Sequence, residues 1–392
     1  MLTPTQSPGD VTALVCREVR LRQFRNFDGL ELRIPAAGAV IIGDNGSGKT
    51  NLLEAVHYLE IFRSFRGAAD EQLVRFGAEA FHIRGVFDDR RTGSSVEITA
   101  AYEPRTRRKR VTIDGVETAR LGDAIGRLGT VIFSPSDVEI VAGAPGERRR
   151  YLDIILSLNV RGYLDALQRY RHVLRQRNAL LRDGRWGDAL AAWDTGLIES
   201  GAVVISARSA WVRGHAERYT QIYAAISGVP ADIAYDSDVS LAEGDSVDAA
   251  ATAFSQRLER VAQRERERGV TLAGPHRDDL SLMIQASDGH VDLRQFGSGG
   301  QVRTGAVALR MVEAETVREA RGFQPLLLLD DVFAELDVER SRRILELFRS
   351  DLHGQVILTA PKESDVLLDE VGADALVAPL ARWRISAARV FM

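Results

Sequence analysis

Lys49 and Thr50 close the octapeptide Gly43-Asp44-Asn45-Gly46-Ser47-Gly48-Lys49-Thr50, and far downstream Asp330 and Asp331 end an apolar run. An ammonium, a hydroxyl and paired carboxylates are what is needed to hold a polyphosphate and a divalent cation and to direct a water. The octapeptide has the form G-x-x-x-x-G-K-[ST], in which glycines let backbone N–H groups curl around phosphate oxygens. Ala39-Val40-Ile41-Ile42 before it reads as a buried strand, and Asn51-Leu52-Leu53-Glu54-Ala55-Val56 after it as a helix start. That helix N-terminus adds unpaired donors and a positive dipole end. The expected nucleotide ligands are therefore Gly43, Asn45, Gly46, Ser47, Gly48, Lys49, Thr50 and Asn51, with Lys49 on the β- and γ-phosphates of ATP and Thr50 on Mg²⁺. Only three lysines, Lys49, Lys109 and Lys362, stand among 51 basic residues, yet the loop position is one of them. A forked guanidinium cannot replace a compact ammonium there.

Leu326-Leu327-Leu328-Leu329-Asp330-Asp331 reads as a buried strand with acids at its C-terminal end, where open α/β sheets place ligands. Asp330 is expected behind Thr50 at the metal, and Asp331 is expected to position or deprotonate the attacking water, with Lys49 completing the catalytic set. Phe296-Gly297-Ser298-Gly299-Gly300-Gln301 precedes a helix predicted over 302–320. Ser298 as its N-cap, with Gly299 and Gly300, makes a second anion-binding terminus or an ordinary capped loop. Glu335-Leu336-Asp337 follows the acid pair, and Gln355-Val356-Ile357-Leu358-Thr359 is a further strand ending in a polar residue.

These groups need a scaffold. Residues 1–14 read as a flexible leader, and 15–146 as the N-terminal part of an α/β head. Strands are expected over 81–87, 95–102, 109–113 and 131–133, and Asp114-Gly115 is a hairpin turn signal. Residues 147–270 read as a helical insert. Tyr163, Leu167, Tyr170, Leu174 and Leu181 form one seam, and Leu190, Trp193, Leu197, Val204 and Trp211 another, turning at Asp183-Gly184. Each arm is expected to run ~35–40 residues, or ~55–60 Å. A third helix carries Val247, Phe254, Leu258 and Val261 on one face, and strand character returns over 271–392. The tryptophans and tyrosines of the insert read as core.

Length and composition narrow the classes. The chain has 392 residues, 45% hydrophobic and 27% charged, enough for a large core and two or three domains. Its mean hydropathy is −0.12, and no apolar run approaches the ~18 residues that span a bilayer, so no membrane partner is expected. The first basic residue is Arg17 and Cys16 is the single cysteine, which points to a cytoplasmic protein without internal disulfides. With a net charge of −4, any nucleic-acid contact must come from local patches. No Cys/His cluster suggests a transition metal.

Phosphate loop, Ser-Gly-Gly-Gln signature, acid strand, D-loop and switch strand together resemble the ABC ATPases, in the order of the chromosome-maintenance branch. Phe24-Arg25-Asn26-Phe27, Gly48-Lys49-Thr50-Asn51-Leu52-Leu53-Glu54-Ala55, Arg63-Ser64-Phe65-Arg66 and Gly274-Pro275-His276-Arg277-Asp278-Asp279-Leu280 resemble the RecF family of bacterial recombination-repair ATPases. So do Pro135-Ser136-Asp137, Gly146 with Arg148-Arg149-Arg150-Tyr151-Leu152-Asp153, and Gln176-Arg177-Asn178. The resemblance implies an ABC-type head of mixed β-sheet with an inserted helical lobe. It implies an ATP-dependent homodimer on duplex or junction DNA that acts with RecR, with RecO and RecA downstream, in gap repair and replication restart. Arg25 and Asp337 then join the nucleotide site, and Ser298, Gly299 and Gly300 of one subunit cap the γ-phosphate held by the other. The transporter pattern has Glu where Asp331 stands and His where Thr359 stands, so hydrolysis is expected to be slow. Gln72 and the segment 134–137 are both candidates for the Q-loop role.

Three rivals are weaker. A transport subunit is expected to carry the catalytic Glu and switch His, a long-armed chromosome protein needs hundreds of heptad residues, and a related nuclease needs a further acidic metal-binding domain. Arg105, Arg107, Arg108, Lys109 and Arg110 form the densest basic run, on the predicted hairpin. Arg107, Arg108, Lys109 and Arg110 are the candidate DNA contacts, through phosphates and without base choice, with Arg169, Arg171, Arg175 and Arg177 next in line. His276 reads as a hydrogen-bonded loop histidine.

Overall fold

The computed structural model describes residues 14–90, 92–239, 246–286, 289–333, 336–351, 354–363 and 380–391. The expected leader, but for Leu14, and Glu335 of the D-loop segment therefore lie outside the described residues. The chain divides into two compact units, residues 1–137 with 313–392, and residues 138–312.

The first unit opens with β1 (Leu14–Phe24), β2 (Phe27–Arg33) and β3 (Gly38–Ile42), followed by α1 (Lys49–Ile61). β4 (Phe81–Asp89), β5 (Ser94–Glu103), β6 (Arg108–Ile113), β7 (Val116–Glu117) and β8 (Thr130–Phe133) complete its N-terminal part. Each expected strand is present, and Asp114 and Gly115 turn β6 into β7 with φ of 50° and 80°, the positive values a two-residue hairpin requires.

The second unit holds α2 (Val138–Ala142), α3 (Pro145–Asn159), α4 (Tyr163–Arg182), α5 (Asp188–Ser227), β9 (Ala231–Asp236), α6 (Val247–Arg268), β10 (Asp279–Ala286), β11 (Gly289–Asp292), α7 (Leu293–Phe296) and the first part of α8 (Gly299–Arg321). The first expected helical arm is broken. Gly162 at φ 81° N-caps α4 and separates it from α3, leaving 20 residues, roughly 30 Å, where ~35–40 were expected. The second arm is real, because α5 runs 40 residues. Of the two seams, Tyr163, Leu167, Tyr170, Leu181, Leu190, Leu197, Val204 and Trp211 are buried, and Leu174 and Trp193 are half-buried. On α6, Phe254, Leu258 and Val261 are buried but Val247 is exposed. The strand β9 lies inside the stretch expected to be helical, and it pairs antiparallel with β10. That small sheet, with β11, carries the second unit past the expected 270/271 boundary; the division falls at 312/313, within α8.

The chain returns to the first unit through the rest of α8, β12 (Leu326–Asp330), α9 (Val338–Asp351), β13 (Val356–Ala360), β14 (Ala381–Ser386) and β15 (Arg389–Phe391). One sheet of this unit has the order β2-β1-β4-β5-β6-β7; the other runs β15-β14-β3-β13-β12-β8. The first is antiparallel throughout, while in the second β14, β3, β13, β12 and β8 are parallel. β12 and β13 are buried at every residue, which accounts for their unbroken apolar runs, since strands covered on both faces show no alternation. The register sets Asp330 beside Thr359, and Thr359 beside Ile41 at the end of β3. The C-terminal ends of the phosphate-loop, switch and acid strands thus lie side by side.

Candidate nucleotide site

The octapeptide leaves β3 and enters α1 at Gly48, which N-caps the helix with φ 115°. That angle disfavours any side chain, and a Cβ at Gly48 would come within 2.9 Å of the Asn26 side chain. Asn26, in the β1–β2 turn, fastens the loop: its Nδ2 donates to the Ser47 carbonyl at 3.3 Å, and its Oδ1 accepts from Asn51 Nδ2 at 2.9 Å. On the other side Ala388, in the β14–β15 turn, donates its N–H to the same Ser47 carbonyl at 3.0 Å. Neither Asn26 nor Ala388 was among the expected site residues. Asn26 sits in the Phe24–Phe27 string that carried the resemblance; nothing local marks Ala388.

Lys49 is buried, and its Nζ donates to the Gly43 carbonyl at 2.7 Å and the Asp44 carbonyl at 3.3 Å. These contacts keep the ammonium folded back inside the loop it would otherwise lend to a phosphate. Ser47 Oγ is buried with no hydrogen-bond partner, a cost of about 1–3 kcal/mol that an incoming oxygen ligand would remove. Asn45 and Gly46 are exposed at the loop's outer bend.

Thr50, on the first turn of α1, donates to Asp330, with Oγ1 2.9 and 2.8 Å from the two carboxylate oxygens. Thr359 Oγ1 donates to Asp330 Oδ1 at 2.9 Å and accepts the Asp331 N–H at 3.1 Å. Burial raises the Asp330 pKa above its ordinary value; the hydroxyls of Thr50 and Thr359 oppose this, the Asp331 charge adds to it, and Lys49 opposes it. Asp331 adopts φ 46°, a left-handed turn that takes the chain out of the sheet and sets its carboxylate beyond the strand end. Thr50 and Asp330 offer oxygen donors in the type and number that Mg²⁺ accepts alongside phosphates and waters, so the residues fit the expected cation.

Two expected ligands, Arg25 and Asp337, and the Q-loop candidate Gln72 bond to other groups of the chain. Arg25 has its fork on Glu54, Nε to Oε2 at 2.8 Å and Nη2 to Oε1 at 2.9 Å, with Nη1 on the Gln72 carbonyl at 3.3 Å. It braces α1 against the β1–β2 turn. Gln72 is itself held locally, its Oε1 accepting the Ala69 N–H at 3.1 Å. Asp337 N-caps α9, accepting the Arg340 N–H at 2.8 Å; side-chain capping answers why an acid stands there.

Within the second unit, Ser298 and Gln301 form a capping box at the start of α8, Oγ accepting the Gln301 N–H at 3.3 Å and Gln301 Oε1 accepting the Ser298 N–H at 2.8 Å. Ser298 and Gly299 are exposed. The helix begins at Gly299, three residues before the expected start.

The basic run on β6 is split by the pleat. Arg108 and Arg110 point outward with loose pairings to Glu117 at 3.3 and 3.4 Å, and Arg107 is exposed in the preceding turn. Lys109 faces the other way. Its Nζ lies 2.6 Å from Asp70 and 2.6 Å from the Phe62 carbonyl, 5.3 Å from the centre of the Tyr58 ring. The period-2 alternation of a strand removes it from the DNA candidates.

The profile of the RecF/RecN/SMC N terminal domain matches residues 15–371. The DNA replication and repair protein RecF of Salinibacter ruber is 36% identical over 89% of this chain and 85% of its own length. The chain belongs to the RecF family. The RecF protein of Roseiflexus castenholzii is also 36% identical, over 95% of this chain and 98% of its own. Among solved structures, the recombination mediator protein RecF with ATP, in the RecFOR pathway, matches at a TM-score of 0.86 and 29% identity over 98% of this chain and 99% of that one. The Smc head domain of Pyrococcus yayanosii, at 11% identity and a TM-score of 0.56, covers 96% of this chain and 97% of that one and shares the fold. The mixed α/β ABC-type ATPase head is therefore the architecture of this chain.

Proposed function

We propose that this chain is an ATP-dependent DNA-binding protein of recombinational repair and replication restart. The observation that carries the reading is the Lys49–Thr50–Asp330–Thr359 arrangement in a member of the RecF family. ATP would draw the Lys49 ammonium from the Gly43 carbonyl onto its β- and γ-phosphates, and Ser47 would gain the partner it lacks. Mg²⁺ would be held by Thr50, with Asp330 behind it, and would neutralise the phosphate charge. Asp331 would orient or deprotonate the attacking water, slowly, because Asp is one methylene shorter than Glu and Thr359 carries no positive charge.

The γ-phosphate also gives the exposed Ser298 terminus of a second copy its anion, so ATP would favour a homodimer and hydrolysis would release it. Arg107, Arg108 and Arg110 would contact phosphates of duplex or gapped DNA. The family reading supplies the partners: RecR directly, with RecO and RecA loading downstream, in the cytoplasm. Light scattering with ATP, ADP or no nucleotide, with and without duplex DNA, tests the clamp; an oligomeric state indifferent to nucleotide would refute it. Ser298→Arg is expected to spare ATP binding and block the ATP-driven dimer.

A further inference from the structure

Two of the strings that carried the family resemblance, residues 146–153 and 274–280, belong to the second unit. Inside the second unit they form walls of one cavity of about 270 Å³, into which α4 and α5 also contribute. Its charged lining is Arg149, Arg150, Arg171 and Arg208 against the single carboxylate Asp153.

That carboxylate is already shared. It accepts Arg208 Nη2 at 2.7 Å and Tyr163 Oη at 2.6 Å on one oxygen, and Arg171 Nη2 at 2.8 Å on the other. Arg208, itself buried, gives a second bond to the Pro275 carbonyl at 2.7 Å. The neighbouring acids are engaged elsewhere: Asp279 by the fork of Arg148 at 2.7 and 2.8 Å, and Asp278 by the hydroxyls of Tyr235 and Ser237. Arg149 donates to the Asp278 backbone carbonyl at 2.8 Å and makes no ion pair among the described residues; the acid paired with Arg150 is Glu147, at 4.0 Å. His276 adds no charge. Its Nε2 donates to the Thr271 carbonyl, so Nδ1 accepts from Tyr170 at 2.6 Å, and burial pushes its pKa down to about 4.

We propose that this cavity binds a phosphate-type oxyanion of orthophosphate to pyrophosphate size. Guanidinium forks suit phosphate oxygens, and an anion between Arg149, Arg150 and Arg171 would balance cations that the protein itself leaves under-compensated. The cavity lies just under the usual range for sites that take drug-sized ligands, which favours a small anion. Burial, and then the Arg208 charge, hold the Arg149 guanidinium below its ordinary pKa against the pull of Asp279, Asp278 and Asp153, and a bound anion would offset the Arg208 charge.

Equilibrium dialysis of labelled pyrophosphate against the full chain carrying Lys49→Ala, which disables the phosphate loop, tests the site. One equivalent is expected to bind. Arg149→Gln and, separately, the more exposed Arg171→Gln should each weaken binding by roughly 10- to 100-fold, the worth of a lost charge-assisted hydrogen bond. Arg277→Gln, which removes an exposed guanidinium outside the cavity, should not. Circular dichroism melting checks that each variant is folded, and Arg171→Gln keeps the test valid should Arg149→Gln unfold. Displacement of pyrophosphate by a short duplex would assign the phosphate to DNA, and no displacement to a free anion; either upholds the site. Absence of binding at millimolar pyrophosphate, or binding unchanged in both variants, would overturn it.

Discussion

Thr359 Oγ1 lies 2.9 Å from Asp330 Oδ1, at the register position where the switch strand β13 meets the acid strand β12. One hydroxyl ties the carboxylate expected to serve the metal to the backbone N–H of Asp331. Thr359→Val keeps the shape and deletes both bonds. It should cost about 1–3 kcal/mol in urea unfolding of the nucleotide-free chain. Because the Thr359 hydroxyl favours ionised Asp330, the acid limb of the ATPase pH profile should also move to higher pH. An unmoved limb would separate Asp330 from the rate.

Lys49→Arg should weaken or abolish ATP binding, since the buried Nζ sits in a pocket built from the loop's own carbonyls and a planar fork does not fit there. Asp331→Asn should retain ATP affinity, stop hydrolysis and accumulate the dimer. Isothermal titration with ATP, beside single-turnover hydrolysis, distinguishes the two. Equal loss of affinity in both variants would contradict the role given to Asp331.

DNA binding should depend on salt and not on sequence. A clamp neutralising about 5 phosphates has a log K against log[salt] slope of roughly −4 to −5 on duplex DNA. Replacing Arg107, Arg108 and Arg110 by Ala should flatten it by up to ~3, whereas Lys109→Ala should leave the slope alone and destabilise the first unit, because Asp70 and the Phe62 carbonyl lose their cation. A slope unchanged by the triple substitution would turn attention to Arg169 and Arg175.

Glu60, buried at the end of α1, accepts the Leu128 N–H at 2.7 Å and the Gly129 N–H at 3.1 Å. Burial raises its pKa from 4.5 to about 7 despite those bonds. A carboxyl raised on folding binds more protons in the native state, so its contribution is fully present below pH 4.5 and is lost as pH rises through about 7. Relative to Glu60→Gln, the nucleotide-free protein should therefore lose up to about 3 kcal/mol between pH 4.5 and 8. Urea midpoints of both proteins across that range give the difference; parallel curves would show that Glu60 does not titrate there.

The phosphate loop, the acid strand and the capped signature helix were legible in sequence because each is contiguous: glycines, an apolar run and a Ser-x-x-Gln box are local patterns with local causes. So was the Asp114-Gly115 hairpin. The long seams of α4 and α5 were legible as well, because helical periodicity needs only one helix to show itself. What a linear pattern cannot carry is which side chain another element will meet. Thr50 and Asp330 are 280 residues apart and touch only because β13 is inserted between β3 and β12. The pleat sends Lys109 inward among arginines that look equivalent in the sequence. Arg25 is taken by Glu54 from α1, Asn26 and Ala388 hold the loop from two separate hairpins, and Gly162 caps α4 so that the first arm has 20 residues. Two basic and acidic strings more than 120 residues apart enclose a cavity in the second unit. Each of these was decided by tertiary packing, since burial and hydrogen-bond satisfaction are settled between elements and are not written within any one of them.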